Sequence, residues 1–435
     1  MPPASPAPDS ATDSATDSAT ATSQPAALRI AVVGAGPVGL ALALQAARVL
    51  PHAQLTLFDA RPATQDVSAD PRTLALSLGS VQLLRRLGAW PEAAAHPILE
   101  VHVSQAPPSL PAQAAVRLHA REHGVPMLGA VLPYGPLVAA LQRAWEQACR
   151  DDGGTRLASC FGQGVTALRE RAGAVQVDAG IVQDFDLVVV AEGGVYAGAA
   201  RLPRGTELAG SAGSAPAPRE PLRHDYGQTA WVGTASLADA PPGTAFERFT
   251  RDGPVALLPL GPAVQGLSPR ALVWCVPTGD DPLRALEPAQ RLAVLADRLP
   301  REAGRLVALS GLKDFSLGLI AERSLVQGRL VRIGNAAQTL HPVAGQGLNL
   351  GLRDAFTLVQ ALREHPGDTE AALRRVEWAR ASDRWSMIAT TDFLARSFTW
   401  RAPGVAAARG LALAALQAAA PLKRLLVRQM MYGRR

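Results

Sequence analysis

Residues 28–59 constrain the fold of this chain more than any other segment. A short apolar run ends in a glycine-rich turn, an Ala/Leu-rich helical pattern follows, and a second apolar run ends at Asp59. Gly34 permits the tight turn, Gly36 lets a pyrophosphate approach the backbone, and Gly39 allows close packing of helix on strand. Asp59 lies where a carboxylate can accept hydrogen bonds from an adenosine ribose. This order predicts a Rossmann-like α/β domain that binds a dinucleotide, and it does not separate FAD from NAD.

A second glycine-rich segment, residues 333–354, predicts the other half of the same site. His341 and Pro342 lie midway in this segment, and a Gly-Gln-Gly turn then precedes a helical run. Such a backbone can approach a flat or charged ligand closely. A helix beginning near Gly347 would direct its free N–H groups at that ligand. Because the two halves are far apart in sequence, we expect a discontinuous domain with a second domain inserted in it.

Composition and charge exclude several classes of protein. The 435 residues carry a net charge of +6 and three cysteines, and no spacing of cysteine or histidine suggests a metal site. Seven Lys and Arg and no acidic residue lie in residues 401–435, so the basic excess belongs to the C-terminal tail. Only one aromatic residue, Tyr432, lies in that tail. We therefore expect no nucleic-acid partner, since a nucleic-acid groove would combine basic and aromatic residues.

Composition shifts divide the chain into four regions. We expect a disordered tail over residues 1–27, with neither a signal peptide nor a transmembrane helix. The cofactor-binding domain would comprise residues 28–205 and 323–362, with some strands near 97–132 contributed to the second domain. Residues 206–322 would form that inserted mixed-sheet substrate domain, and residues 363–435 a helical C-terminus. In detail, the pattern predicts two β segments within 165–190 and a helix over 301–309.

Arg72 follows an Asp-Pro pair ahead of an apolar stretch. An arginine in this position could clamp a pyrophosphate with two parallel hydrogen bonds. The alternative is an ordinary solvated arginine near the start of a helix. The residue type alone favours the solvated arginine, and the neighbouring motifs favour the pyrophosphate contact.

The C-terminal segment, residues 404–431, is rich in Ala and Leu and is interrupted by Pro421. Its longest uncharged stretch is too short to span a bilayer. An apolar stripe beside basic residues could lie on an anionic membrane surface. The alternative, which the pattern slightly favours, is a helix packed on the protein with a solvated basic face. The residues concerned are Leu422, Lys423, Arg424, Leu425, Leu426, Arg428 and Met430.

Four stretches together carry a resemblance to a known family. They are VVGAGPVGLALA, DPRTLALSLGS, GTAFERFTRDGPVALLPL with RALVWCVP, and IGNAAQTLHPVAGQGLNLGLRD. In content and order they resemble the FAD-dependent aromatic hydroxylases of ubiquinone biosynthesis, which are flavin monooxygenases related to p-hydroxybenzoate hydroxylase. A later stretch, ASDRWSMIATTDFL, is similar to the C-terminal region of that subgroup.

The resemblance implies that the cofactor is FAD and assigns residues to it. The three turn glycines and Asp59 would hold the ADP half, and Arg72 would reach the pyrophosphate. Asn335 stands where the wider family usually has an aspartate that bonds the ribityl chain. The remaining implied contacts, against the isoalloxazine ring, are Pro342, Gly345, Gln346, Gly347, Leu348 and Asn349.

Two departures from the family pattern affect specific contacts. The usual Asp-Gly pair after the third strand is Glu192-Gly193 here, with Tyr196 and Arg201 near the places of the usual Ser and Arg. This puts nicotinamide contacts in doubt. Tyr134 stands where the subgroup has Asn, which puts a contact at the flavin edge in doubt.

The resemblance also implies the reaction. NAD(P)H, or another electron donor, would reduce FAD, and an oxygen atom from O2 would pass to the ring of a lipophilic, polyprenylated phenol. No second glycine fingerprint is present for NAD(P)H, so this reductant would bind transiently. No side chain stands out as catalytic, and His341 is interpreted as a structural hydrogen-bonding residue rather than a proton shuttle.

Two other functions remain open from the sequence. The chain could hydroxylate a water-soluble aromatic acid, or serve as an FAD-binding structural subunit of a ubiquinone-synthesis complex. We expect a cytoplasmic protein with a peripheral contact at the inner face of the membrane through residues 404–435. The sequence does not decide the ring position, the prenyl length, the electron donor or the oligomeric state.

Overall fold

The computed structural model describes residues 27–106, 114–193, 220–342, 345–397, 400 and 404–433. The predicted tail apart from residue 27, the domain boundary predicted between residues 205 and 206, and both Tyr196 and Arg201 lie outside these residues.

The described strands, in chain order, are β1 Arg29–Val33, β2 Gln54–Asp59, β3 Thr73–Ser77, β4 His96–Ile98, β5 Glu100–Gln105, β6 Ala115–His119, β7 Gly129–Pro133, β8 Leu157–Phe161, β9 Ala167–Arg171, β10 Ala174–Asp178, β11 Val182–Phe185, β12 Leu187–Val190, β13 Leu222–Ala238, β14 Thr244–Phe249, β15 Pro254–Pro259, β16 Leu267–Pro277, β17 Arg305–Ala321, β18 Val326–Gln327, β19 Leu330–Arg332 and β20 Gln338–Thr339.

The described α-helices are α1 Pro37–Val49, α2 Leu78–Arg86, α3 Tyr134–Asp152, α4 Pro288–Arg298, α5 Gly347–Glu364, α6 Thr369–Ser397, α7 Val405–Ala418 and α8 Ala420–Tyr432. Pro37 occupies the first turn of α1, where its fixed φ and missing N–H cost nothing.

A six-stranded sheet forms the centre of the nucleotide-binding part, in the order β18-β19-β12-β1-β2-β8. All neighbours pair in parallel except β18 and β19. Four of the five residues of β1 are buried, as expected for a parallel strand covered on both faces. On one face, Ile30 and Val32 pack in the core that contains α1, α3 and α5. On the other face, Ala31 and Val33 pack against the small antiparallel sheet of β9, β10 and β11.

An eight-stranded sheet forms the second layer, in the order β20-β17-β13-β16-β15-β14-β5-β6. One face buries Trp231, Trp274 and Leu295 of α4 in a separate apolar core. The strands β5 and β6 come from the first half of the chain and β20 from the return segment, so the sheet joins both parts. We propose the domain division of the sequence on this basis, with β5 and β6 as the contributed strands near 97–132.

Two sequence predictions about these strands were wrong. The helix expected over residues 301–309 is a short 3-10 turn at Arg301–Ala303 followed by β17. The strand β17 pairs with β13 along nearly its whole length, and this pairing overrides local helix preference. Residues 165–190 contain four strands rather than two, because a three-strand meander precedes β12.

The C-terminal helices close the structure over the nucleotide-binding part. Helix α6 packs on α5, and α8 packs on α2. The break between α7 and α8 bends the pair by 94°, next to Pro421 in the first turn of α8. Within the described residues, no single helix is both long and apolar enough to cross a bilayer, whereas this bent pair passes that test by length and composition.

Candidate active site

The turn between β1 and α1 contains three glycines with different environments. Gly34 has a φ of 105°, and a Cβ there would lie 2.8 Å from the backbone nitrogen of Glu192. A Cβ on Gly39 would lie 1.9 Å from the carbonyl oxygen of Gly34, which is the close approach expected from the sequence. At Gly36 the nearest atom would be the Tyr134 hydroxyl, 3.9 Å away. A Cβ on Gly36 would therefore touch that hydroxyl and no other atom within 4 Å beyond the neighbouring residues, at the N-terminus of α1.

The N-termini of α1 and α5 form a pair. Their N-cap residues are Gly36 and Gln346, and in the described part of the chain no side chain caps either end. A Cβ on Gly347 would meet no atom within 4 Å, whereas one on Gly351 would lie 2.8 Å from the Val38 side chain of α1. The two helices are thus closely packed, and both ends offer free N–H groups and positive dipole ends to an anionic ligand.

Asp59 lies beside the glycine turn, as the sequence predicts. Its Oδ2 accepts a hydrogen bond of 2.6 Å from the backbone N–H of Ala35, and its Oδ1 accepts one of 2.8 Å from that of Arg61. The Arg61 guanidinium donates to the Ala35 carbonyl oxygen at 3.1 Å. Burial, together with the negative charge of Asp59, raises the pKa of Glu192. Arg61 was not predicted as a site residue, although it follows the strand-ending acid by two positions.

Arg72 does not contact the glycine turn directly, because the side chain of Tyr134 lies between them. Its Nη2 donates to Asp70 Oδ2 at 2.7 Å, and its guanidinium carbon lies 4.0 Å from the centroid of the Tyr134 ring. The Tyr134 hydroxyl is also the atom nearest to the open side of Gly36. Arg72 is therefore one side chain removed from the turn, and its contact with a pyrophosphate stays a prediction.

Asn335 joins the return segment to the end of β12. Its Nδ2 donates to the carbonyl oxygen of Gly193 at 3.0 Å, and a Cβ on Gly193 would lie 2.1 Å from the Asn335 Cβ. Farther along, the backbone N–H of Gly345 donates to the carbonyl oxygen of Pro342 at 3.0 Å, and Gly345 has a φ of 57°. The turn thus requires glycine at 345.

The side chain of Asn349 anchors this turn. Its Oδ1 accepts hydrogen bonds of 2.8 Å from the backbone N–H of Ser77 and from the hydroxyl of Ser80. Its Nδ2 donates to the carbonyl oxygens of Gly345, at 3.0 Å, and Ala75, at 3.2 Å. Asn349 is 1% exposed, so its predicted contribution to a ring contact would come from the backbone alone.

Two neighbouring residues of the turn also face protein. Gln346 is buried, and its Oε1 accepts a hydrogen bond of 3.4 Å from Arg353. Leu348 packs against the main apolar core.

The environment of His341 favours a structural role. The ring is 2% exposed, its Nε2 lies 3.0 Å from Gln228 Oε1, and it packs edge-on to Tyr226. Burial lowers the pKa of His341 to about 4, so the ring is neutral at physiological pH. This supports the interpretation of the residue as a structural hydrogen-bonding histidine.

Comparisons with known proteins show which enzymes this chain is similar to. Residues 227–386 match the family model described as an FAD binding domain. The chain is 37% identical over 213 residues to the ubiquinone hydroxylase UbiL of Rhodospirillum rubrum, a match that covers 47% of this chain and 48% of that protein. It is 29% identical over 420 residues to the 3-demethoxyubiquinol 3-hydroxylase of Escherichia coli, covering 93% of this chain and 97% of that protein. The chain is therefore similar to these ubiquinone-pathway hydroxylases, over about half the length of the first and nearly the whole length of the second.

The fold of this flavoprotein is that of solved FAD enzymes. The structure of Klebsiella pneumoniae HpxO complexed with FAD and uric acid aligns with a TM-score of 0.65 at 18% identity, covering 93% of this chain and 97% of that one. The space at Gly347 is open, that at Gly36 is bounded only by the Tyr134 hydroxyl, and both lie at helix ends without a side-chain cap. The residues present therefore fit an extended dinucleotide.

Proposed function

We propose that this flavoprotein is a monooxygenase that hydroxylates the aromatic ring of a polyprenylated phenol in ubiquinone biosynthesis. The observation that carries the proposal is the pair of uncapped helix N-termini at Gly36 and Gly347. A Cβ on Gly347 would meet no atom within 4 Å, and one on Gly36 would meet only the Tyr134 hydroxyl, at 3.9 Å. The similarity to the E. coli hydroxylase along nearly the whole chain supports the choice of substrate class.

We assign the cofactor contacts as follows. Asp59 would accept hydrogen bonds from the adenosine ribose, and the N-terminus of α1 would hold the pyrophosphate with help from Arg61 and Arg72. Asn335 would bond the ribityl chain. The backbone of Pro342 and of the 345–349 turn would lie against the flavin ring, and the N-terminus of α5 would favour negative charge there.

Bound FAD would supply the redox chemistry with O2, and electrons would come from NAD(P)H or another donor. The protein itself orients the phenol, keeps water from the flavin and sets the charge around the ring.

A glycine substitution tests the cofactor assignment. We expect Gly347→Ala to weaken FAD binding about tenfold or more, because the added methyl occupies the space of the ring at close range. The matched control is Gly279→Ala, since Gly279 also has no atom within 4 Å of its Cβ position and lies outside the site. Titration of the apoprotein with FAD, followed by flavin fluorescence, gives both dissociation constants. Equal affinities in the two variants would contradict the assignment.

A reaction test addresses the function. The FAD-loaded protein should oxidise NAD(P)H with O2 faster when a prenylphenol is present, and should release a hydroxylated product detectable by mass spectrometry. Turnover of a hydroxybenzoate without any effect of prenyl length would instead support a soluble aromatic substrate. Protein that stays colourless after incubation with FAD would overturn the proposal. Normal quinone levels in cells carrying an FAD-binding-deficient variant would support the structural-subunit alternative.

We propose further that α8 contacts an anionic membrane surface. The inner side of α8 packs on the protein, and Lys423 is buried there with its Nζ 3.0 Å from Glu122 Oε2. The prediction that Lys423 belongs to the solvated basic face is therefore wrong. The side chains of Leu422 and Leu425 are 55% and 63% exposed. Arg424 and Arg428 are also exposed, so these four residues form one surface that combines apolar and basic groups.

Liposome binding tests this contact. We expect Leu425→Asn to reduce sedimentation with vesicles that contain phosphatidylglycerol, because an apolar anchor is lost. Val264→Asn is the matched control, since Val264 is 65% exposed and lies on a loop of the eight-stranded sheet. Identical sedimentation of both variants and the wild type would contradict the proposal.

A further inference from the structure

Pro342 of the return segment lies at the edge of a small cleft against the eight-stranded sheet. The other lining residues come from β14, β15 and β16, and they are Glu247, Pro254, Ala256, Val273 and Cys275. Four of these five are apolar or weakly polar, and Glu247 is the acid among them. The cleft therefore places one carboxyl group beside the proline that we assign to the flavin.

Glu247 has no compensating charge. Its neighbours in register are Val103 of β5 and Ala256 of β15. Arg248, the next residue, faces the other side of the sheet, where its Nη1 lies 3.2 Å from Ser104 Oγ. Among the described residues, the Glu247 carboxyl has neither a hydrogen-bond partner nor an ion pair. Glu247 is half-buried, and removing an unpaired carboxylate from water costs free energy, so stability alone does not explain an acid at this position.

The size of the cleft indicates what the carboxyl can meet. Its volume of about 10 Å³ is room for one water-sized polar group. A phenolic hydroxyl has this size, and the cleft is open on one side, where the aromatic ring would lie next to Pro342. The ring would then be between the sheet and the flavin.

We propose that Glu247 is the catalytic residue that accepts the hydrogen bond of the substrate's phenolic hydroxyl and takes its proton. This inference rests on the proposed function. In the step, the phenol O–H bond breaks, a carboxyl O–H bond forms, and the negative charge passes to the ring oxygen. No electrons are transferred. The phenolate is the more electron-rich ring and accepts an electrophilic oxygen atom more readily.

The electrostatic surroundings set the pH range of this step. Burial raises the pKa of Glu247 to about 8. The titratable groups nearby are the Cys275 thiol, whose pKa is raised by burial and by the charge of Glu247, and His341, which is neutral. Arg248 lies on the opposite face. Below about pH 8 the carboxyl carries a proton and cannot accept another, so proton abstraction increases as the pH rises through about 8.

A pair of ligands tests the hydrogen bond without turnover. The probes are 2-prenylphenol and its methyl ether, which lacks the donor. The FAD-loaded wild type should bind the phenol about tenfold or more tightly than the ether above pH 8, because a bond to a carboxylate is charge-assisted. Glu247→Gln should reduce this preference to about twofold or less, and Glu247→Asp should retain part of it. Glu364→Gln is the matched control, since Glu364 is exposed at the end of α5.

The second readout is the pH profile of hydroxylation. We expect the wild-type kcat to rise as the pH increases through about 8. Glu247→Gln should lower kcat about 100-fold and should abolish this rise with pH. An unchanged preference for phenol over ether in Glu247→Gln, with product still formed by the wild type, would overturn the role of Glu247 and leave the proposed function intact. Absence of product from the FAD-loaded wild type would instead count against the function itself. Normal FAD content in Glu247→Gln shows that the variant is folded.

Discussion

Two regions of this protein surround their carboxyl groups in opposite ways. Between α5 and α6, Asp354 and Asp383 are both 0% exposed, and Arg380 bonds to each of them, at 2.8 and 2.7 Å. Gln338 and Arg353 supply further hydrogen bonds to the two acids. In the cleft beside Pro342, Glu247 has no such partner within the described residues.

The difference separates structural acids from a reactive one. Around the paired carboxylates, cations and amide donors take the place of water. The paired carboxylates fix α6 on α5, and α5 carries the turn at the proposed flavin site. The unpaired acid has a raised pKa and a free acceptor, which suit proton transfer rather than rigidity.

Removing the central cation should have the largest effect. We expect Arg380→Met to lower the free energy of unfolding by about 3–5 kcal/mol, because two buried carboxylates lose a shared partner. Urea unfolding of the apoprotein measures this. The control is Arg374→Met, since the Arg374–Glu370 pair is exposed and should contribute about 1 kcal/mol or less. Similar losses in both variants would show that burial of the network does not matter.

A neutral anchor should have an intermediate effect. Asn349→Ala leaves the Ser77 N–H and the Gly345 carbonyl without their partner, and we expect a loss of about 1–3 kcal/mol together with weaker FAD binding. Gln147→Ala, at an exposed amide with hydrogen bonds to its own helix, should change stability by about 0.5 kcal/mol or less. Stability of Asn349→Ala within that control range would contradict the anchoring role.

Near pH 4.5 the unpaired acid should have the smallest effect of the three on stability, and this effect should grow as the pH rises. The folded protein holds a proton on Glu247 up to about pH 8, whereas the unfolded chain releases it near the ordinary pKa of 4.5. The free energy of unfolding therefore falls as the pH rises between these values, by at most about 1.4 kcal/mol per pH unit. Urea unfolding of the apoprotein at a series of pH values, compared with Glu247→Gln, isolates this contribution. The variant should become the more stable protein as the pH approaches about 8. Parallel curves would mean that Glu247 is ionised in the folded state.

Much of the nucleotide-binding part could be predicted from the sequence. The order of strand, glycine turn, helix and acid in residues 28–59 is local, and so are the backbone requirements at Gly34 and Gly345. The same reasoning located the helix beginning at Gly347. An interruption of the C-terminal helical pattern was predicted at Pro421, and the structure divides α7 from α8 two residues earlier, at Ala419.

Other features of the fold depended on which distant segments of the chain pack against each other. Residues 305–309 favour a helix by composition, yet they extend as part of β17 because β13 provides a complete row of partners. Lys423 has the pattern of a surface cation, yet the packing of α8 places it against Glu122. Neither outcome could be predicted from the neighbouring residues in the sequence.

The sequence by itself determined that this chain binds a dinucleotide, because the required glycines and the acid act through the backbone conformation of adjacent residues. Only the tertiary structure decided which acids are paired. Asp354, Asp383 and Glu247 look alike in the sequence, and their difference arises from the cations that distant segments bring to the first two. The charge state of a buried carboxyl is set by its spatial neighbours, and these are fixed only when the sheets and helices pack.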